Sequence, residues 1–387
     1  MYLNTRNKNE CCGCRACAEI CPQQCIAMRE DENGFVYPYV EFEQCVNCRL
    51  CERVCPMCFD GFVHQQNAEA WVGMHKSPDI CLNSSSGGAF SAISNLAMER
   101  GFCVYGVAFD PDFQVKHMRA TEAEECRAFR KSKYILSNTN GCLSKVALDL
   151  KNGGNVFFTG APCQCAALYN FLKAKNISTN NLLTADVICH GAPSQRLFDC
   201  YRKEIEQRSK CGKLSLYTFR NKEPLDGVIN SRSAAMEFFS GHKRIVDRSS
   251  DPFLLGYYSR LFYRDSCAKC PFAKPERVTD ITLGDAWGIN QIFPELRPLQ
   301  GVSLILANTP KGKRWINDIQ PIMALQSVSV DWAVSANEQL RCPTKMHPNR
   351  SLFLTLWKKK GFAYAVNKAI RGSYLERLFR KLRTIIR

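Results

Sequence analysis

The stretch ECCGCRACAEICP, residues 10–22, and its echo QCVNCRLCERVCP, residues 44–56, decide the reading of the N-terminal region. Both follow one spacing, Cys-x2-Cys-x2-Cys-x3-Cys-Pro. The first places Cys11, Cys14, Cys17 and Cys21 before Pro22; the second places Cys45, Cys48, Cys51 and Cys55 before Pro56. This is the run that binds 4Fe-4S clusters in bacterial ferredoxins, where the fourth Cys of each run ligates the other cluster. Three thiolates on a tight turn cap three irons of one cubane. The chain leaves in a short helix, and the fourth thiolate crosses a pseudo-two-fold axis. The proline then ends regular structure. The spacing predicts Cys11, Cys14, Cys17 and Cys55 around one cluster, and Cys45, Cys48, Cys51 and Cys21 around the other. Between the runs, apolar residues flank Asn33-Gly34 in AMREDENGFVYPYVEF, a hairpin signal. A pair of zinc quartets is the competing reading, but zinc ribbons need neither the third Cys nor the Cys-Pro ending. Cys12, Cys25 and Cys58 are off the pattern and read as bystanders.

The rest of the composition fits a small site-bearing module on a larger body. The chain has 387 residues, 45% of them apolar, enough for two or three domains with real cores. Of its 23 cysteines, 11 lie between Cys11 and Cys58. No apolar leader opens the chain and no long apolar run follows, so a cytoplasmic location is expected, where clustered thiols favour metal over disulfides. The formal charge is +16, yet residues 351–387 carry ten Lys or Arg against Glu376 alone. Thiolate-bound clusters lower the total further. The basic balance therefore does not argue for nucleic acid, and basic-plus-aromatic nucleic-acid modules are absent from the sequence.

From about Glu69 onward, strands alternate with helices. AWVGM, FCVYGVAF, ITLGDAWG and VSLILANTP read as strands, SAISNLAMER reads as a helix, and NVFFTGAPCQCAALYNFL and LLTADVICHGAPSQRLFDCYRKEI each read as strand, Gly/Pro turn and helix. The expected fold class is α+β or α/β: a small ferredoxin-like domain over residues 1–62, a larger mixed-sheet domain over 68–345, and a basic helical tail over 351–387. Three loops carry candidate chemistry. Ser84-Ser85-Ser86-Gly87-Gly88 precedes a helix and suits a phosphate, or is a plain cap. Lys131-Ser132-Lys133-Tyr134 offers cations and hydroxyls to a phosphate or flavin ring, or is a solvated basic loop. Thr159-Gly160-Ala161-Pro162-Cys163 sits at a strand end, where open α/β sheets bind ligands. Cys163, Cys189 and the Cys267-x2-Cys270 pair could form a third 4Fe-4S site; the alternative is that they are ordinary buried thiols.

In combination these segments resemble the coenzyme F420 hydrogenase/dehydrogenase beta-subunit family. The resemblance rests on SSSGGAFSAI (84–93), KSKYILS (131–137), TGAPCQCAAL (159–168), ICHGAPS (188–194), FRNK (219–222) and SCAKCPFAKPERVTDITLGDAWG (266–288), and covers roughly residues 5 to 310. It implies a flavin-dependent iron–sulfur oxidoreductase that binds FAD, with a cluster near the flavin on Cys163, Cys189, Cys267 and Cys270. Ser85, Ser86, Gly87, Gly88, Lys131, Ser132, Tyr134, Thr159 and Gly160 match its flavin-contacting stretches. Ala161 departs from the family's usual Thr, which removes a hydroxyl from that turn.

Two functions compete. In one, ferredoxin or a similar donor reduces the N-terminal clusters, and electrons reach FAD and then a small organic substrate, as in surface-polysaccharide metabolism. In the other, the chain is a beta subunit linking a reduced deazaflavin or ferredoxin to a separate catalytic protein. His190 is the candidate proton donor, since imidazole titrates near neutrality; the alternative is a His that only bonds its loop. At the C terminus, Leu375, Leu378, Phe379, Leu382, Ile385 and Ile386 fall at helical spacing with Arg377, Arg380, Lys381 and Arg383 elsewhere. That pattern suits peripheral contact with a membrane or an acidic partner, or packing on its own domain. A homo-oligomer is compatible with either function.

Overall fold

In a computed structural model of the chain, the structure describes residues 1–58, 68–225, 228–229, 233–296 and 301–371. The two cysteine runs have matching local structure. Gly13 (φ 76°) and Asn47 (φ 55°) stand at the same place in each run, as do Arg15 (φ 62°) and Arg49 (φ 58°). Alternating left-handed residues of this kind curl the backbone into a concave turn of N–H groups suited to an anion. Short helices Ala16–Ile20 and Leu50–Arg53 follow the turns. Between them, β1 (Ile26–Glu30) and β2 (Val36–Val40) form the expected antiparallel hairpin.

The larger body is built on an eight-stranded mixed sheet. Its strands in chain order are β3 (Glu69–His75), β4 (Phe102–Phe109), β5 (Val115–Ala120), β6 (Asn155–Gly160) and β7 (Leu182–Val187). A three-stranded antiparallel sheet then intervenes: β8 (Leu214–Asn221), β11 (Ser233–Phe238) and β12 (Lys243–Asp247), with β9 (Pro224–Leu225) and β10 (Val228–Ile229) as a short hairpin. The main sheet resumes with β13 (Ile281–Asp285), β14 (Ser303–Ala307) and β15 (Met323–Val328). Its spatial order is β15-β3-β14-β13-β7-β6-β4-β5. The inner strands β13, β7, β6 and β4 run parallel to one another, while β5, β14, β3 and β15 pair antiparallel. The strand–helix alternation in the sequence predicts an α/β or mixed-sheet core, and the parallel centre is mostly buried and apolar, with Thr184, Asp186 and Thr282 as buried polar exceptions. On the antiparallel side, β3 and β14 match the runs AWVGM and VSLILANTP, while the β8-β11-β12 sheet is not among the strands read from the sequence.

An aromatic core joins the N-terminal module to this body. Phe35 and Tyr37 of the hairpin region pack with Phe198, Tyr217, Phe253 and Tyr263. Polar contacts reinforce the seam: Trp357 Nε1 donates to Asn33 Oδ1 at 3.2 Å, and Thr139 Oγ1 donates to the Cys14 carbonyl at 2.8 Å. Helices Arg350–Lys360 and Phe362–Arg371 lie in the segment read as a basic tail, yet Phe353, Trp357, Phe362 and Val366 are buried in the same core. Their apolar faces have a partner within the chain, which turns that part of the tail into structural core. The amphipathic segment from Leu375 to Ile386 lies outside the described residues. Among the described residues, no helix is long and apolar enough to cross a membrane.

Candidate functional site: two adjoining thiol-lined cavities

Cys11, Cys14, Cys17 and Cys55 line one cavity under the first cysteine turn. Cys55 comes from the second run, so the fold brings a thiol of that run to the cavity of the first, with Cys12 also in its lining. The other set gathers on the outer side: Cys21, Cys45 and Cys51 pack against one small cluster with Cys25, and Cys48 is exposed. Cys25 is not a remote bystander, since its Sγ lies 3.4 Å from Cys21 Sγ.

A second cavity lies where the main sheet meets the module. Cys163, Cys189, Cys267 and Cys270 all line it, together with His190, Arg264 and Arg277. Three separate pieces of chain deliver these thiols. Cys163 sits in the first turn of the helix Pro162–Ala174, directly after β6. Cys189 follows the end of β7, next in the sheet. Cys267 and Cys270 arrive on a turn over Asp265–Lys269. Arg277 fixes that turn: it donates to the Phe272 carbonyl at 2.8 Å, to Thr282 Oγ1 at 3.2 Å and to Asp186 Oδ2 at 2.8 Å. The Arg277–Asp186 pair is fully buried, tying the cysteine loop to β7.

The donor sets fit iron–sulfur clusters. Each cavity offers four thiols besides Cys12, which lines both, and no carboxylate lines the second among the described residues. Burial raises the Cys11 and Cys189 thiols and pushes Cys270 up to about 11. Cys163 is raised by the Cys12 thiol at hydrogen-bonding distance and by burial. Thiolates at such places need a cationic partner, which iron supplies. Among the described residues, no three His, Cys, Asp or Glu side chains converge as the ligands of a single metal ion do. A cubane differs in holding its thiolates on separate irons.

The predicted flavin-contacting residues divide. The Ser132 N–H and hydroxyl meet Ser85 Oγ at 2.7 and 3.0 Å, so the serine–glycine loop and the KSKY loop are brought together. Ser86 Oγ donates to the Val302 carbonyl at 2.8 Å. Gly87 packs so tightly that a Cβ would sit 2.3 Å from the Gly73 carbonyl, and Gly88 is left-handed at φ 90°. Lys131 is also left-handed, at φ 65°. The Tyr134 ring instead stacks on Tyr257 at 4.1 Å, and Thr159 Oγ1 donates to the Tyr105 carbonyl at 3.1 Å. Gly160 lies against His117. Segment 131–137 nevertheless spans the two regions: at its far end Gln164 donates to Ser137, and Gln164 Oε1 accepts from the Ala161 N–H at 3.1 Å. His190 lines the cavity, and burial lowers its basicity.

Several residues escape sequence reading. Cys12 and Met57 line both cavities and so form their shared wall. Arg264 lines the second cavity while reaching Cys11 of the first. Lys222, quoted above only as part of FRNK, ties that strand to the serine–glycine loop by donating to the Cys81 and Ser86 carbonyls at 2.5 and 2.6 Å. Arg220 pairs with Asp285 at 2.6 Å beside it. A basic residue three positions before the CxxC pair was the one available signal for Arg264.

A dicluster module joined to a mixed sheet with its own thiol-lined cavity defines an iron–sulfur protein of the oxidoreductase class. Comparison with known proteins agrees. A family model for the C terminus of the coenzyme F420 hydrogenase/dehydrogenase beta subunit matches residues 153–331, and a 4Fe-4S dicluster domain matches residues 10–58. Over residues 153–331 the chain is thus similar to the C-terminal part of that beta subunit, and over residues 10–58 to a 4Fe-4S dicluster domain. Among solved structures, a chain of the F420-reducing [NiFe] hydrogenase complex from Methanosarcina barkeri is similar at a TM-score of 0.47 and 15% identity. The match covers 73% of this chain and 91% of that one, a likeness too loose to bear on function. No curated protein matches the chain.

Proposed function

We propose that this chain is an electron-transfer subunit that links a one-electron donor, or a reduced deazaflavin, to a separate catalytic partner protein. One observation carries the reading. The cavity of Cys11, Cys14, Cys17 and Cys55 shares its wall, Cys12 and Met57, with the cavity of Cys163, Cys189, Cys267 and Cys270. In this reading the first four would hold one 4Fe-4S cluster, Cys21, Cys45, Cys48 and Cys51 a second, and the last four a third. Bound clusters supply one-electron transfer, and a bound FAD supplies the exchange between single electrons and hydride.

The chain's own residues do the rest. Cys48 is exposed, which gives a donor access at the module's outer edge. Buried thiols and the aromatic seam exclude water between that edge and the larger body. Arg277 and Asp186 hold the cysteine loop in place. Ser85, Ser132, Lys131 and Lys222 form a polar, cationic corner suited to the phosphates of FAD, and His190 stands at the cavity wall as a proton donor or acceptor.

Anaerobic purification with iron, sulfide and flavin quantified tests the cofactor reading: about twelve irons and one FAD per chain support it, and about eight irons remove the third site. Pull-down of the holoprotein from its native extract, followed by donor-driven reduction assays with and without the captured protein, tests the subunit reading. Turnover by the chain alone would favour the self-contained reductase acting on a small organic substrate.

A further inference from the structure

We infer that Arg264 is the internal counter-ion of the cluster held by Cys11, Cys14, Cys17 and Cys55, and that it raises that cluster's reduction potential. The inference rests on the ligand assignment proposed above for the N-terminal module, and is independent of flavin.

Arg264 is 1% exposed, the largest side chain so deeply buried among the described residues. Its backbone belongs to the larger body: its N–H donates to the Ala192 carbonyl at 3.0 Å, and its carbonyl accepts from the Cys267 N–H at 3.0 Å. Its side chain points the other way, into the N-terminal module. Nε donates to the Cys11 carbonyl at 2.6 Å, and Nη2 donates to the Val36 carbonyl at 2.9 Å and to Cys11 Sγ at 3.3 Å. The Tyr37 ring covers the guanidinium at 4.1 Å.

What this arrangement lacks, among the described residues, is an anion. The strongest titratable neighbours of the guanidinium are Cys11, Tyr37, Cys12 and Cys267, with no carboxylate among them. Nη1 has no hydrogen-bond partner there. It lies next to Gly13, where a Cβ would come within 3.0 Å of it, so it stands against the first cysteine turn. A buried guanidinium with a neutral surround is costly, and chains keep such groups when a counter-charge arrives to pair with them. Four thiolates around a 4Fe-4S core carry net negative charge, and one more electron makes the cluster more negative. A fixed cation in a dry, low-dielectric place therefore favours the reduced form. Arg264 also lines the cavity of Cys163, Cys189, Cys267 and Cys270, so it stands against both sites. The other arginines at these walls serve one each, Arg15 the first cavity and Arg277 the second.

The test is potentiometric titration of anaerobically purified holoprotein followed by electron paramagnetic resonance. The variants are Arg264→Gln, which keeps donors and loses charge, and Arg264→Lys, which keeps charge and loses the fork. At a fixed solution potential, the reduced-to-oxidised ratio of the Cys11 cluster should fall at least tenfold in Arg264→Gln, equal to 59 mV for one electron. It should fall less in Arg264→Lys. The cluster on Cys21, Cys45, Cys48 and Cys51 is the internal control and should keep its potential. Equal shifts in Gln and Lys, or no shift with irons retained, overturn the inference. So does loss of iron from both variants, which would make Arg264 a folding residue. Fewer than about eight irons in the wild type would instead overturn the ligand assignment beneath it.

Discussion

Arg277 Nη2 lies 2.8 Å from Asp186 Oδ2, and both side chains are sealed from solvent. The contact joins the loop that carries Cys267 and Cys270 to the strand that leads to Cys189, so a structural ion pair sets the spacing of the thiols. Removing one partner of a buried pair leaves an unpaired charge and costs about 3–5 kcal/mol. Arg277→Leu should lower the denaturation free energy by about that amount and release iron from the larger domain first. Arg277→Leu combined with Asp186→Leu should recover part of the loss, because no charge is then left alone. Urea denaturation followed by circular dichroism, with iron assays, checks both.

Cys163→Ser and Cys270→Ser should each remove about four irons per chain while the dicluster signal persists, since these thiols lie outside the N-terminal cavity. Cys14→Ser should do the converse. Iron analysis beside low-temperature electron paramagnetic resonance distinguishes the two patterns. Loss of N-terminal signals in Cys163→Ser would show that the sites do not assemble independently.

Ser85→Ala removes the acceptor of the Ser132 N–H. The bond is half-buried, so its loss costs about 0.5–1.5 kcal/mol, and the loop pairing that shapes the proposed phosphate corner goes with it. FAD affinity should drop about tenfold for each 1.4 kcal/mol lost, measured by quenching of flavin fluorescence. Thr159→Ala should weaken binding less, because that hydroxyl is committed to the Tyr105 carbonyl.

Burial lowers Lys222 to about 8, with Arg220 adding repulsion. Its ordinary value is 10.5, so between those limits the unfolded chain binds more protons than the folded one. Through this group, stability rises with pH across that window. An arriving phosphate favours the charged form, so FAD binding above about pH 8 should take up a proton. Calorimetry in buffers of different ionisation enthalpy reads that uptake, and Lys222→Met should abolish its share.

Much of the parallel sheet is legible in the chain. FCVYGVAF matches β4 residue for residue, and the strand that opens NVFFTGAPCQCAALYNFL is β6, because strands buried on both faces read as apolar runs bounded by turns. The serine–glycine and KSKY loops also meet as their chemistry suggests, through Ser85 and Ser132. Tyr134 and Thr159 have partners within the chain, Tyr257 and the Tyr105 carbonyl, that the sequence did not foretell. A ring or hydroxyl available to a ligand looks the same in sequence as one consumed by Tyr257 or Tyr105. The tail shows the same ambiguity: Trp357 and Phe362 sit among basic residues, and their burial depends on an aromatic core gathered from several distant segments.

The sequence by itself determined the dicluster module, over residues 10–58, and its spacing is the source of the proposed crossed thiol sets. That information is local, since eight cysteines at fixed spacing, with left-handed turns between them, specify the geometry within about 45 residues. Only the tertiary structure decided that Cys163, Cys189, Cys267 and Cys270 share one cavity, that Cys12 and Met57 divide it from the first, and that Arg264 reaches from one into the other. Those relations join parts of the chain that lie far apart in sequence. They depend on which strand ends become neighbours in the sheet, and no spacing rule along the chain encodes that.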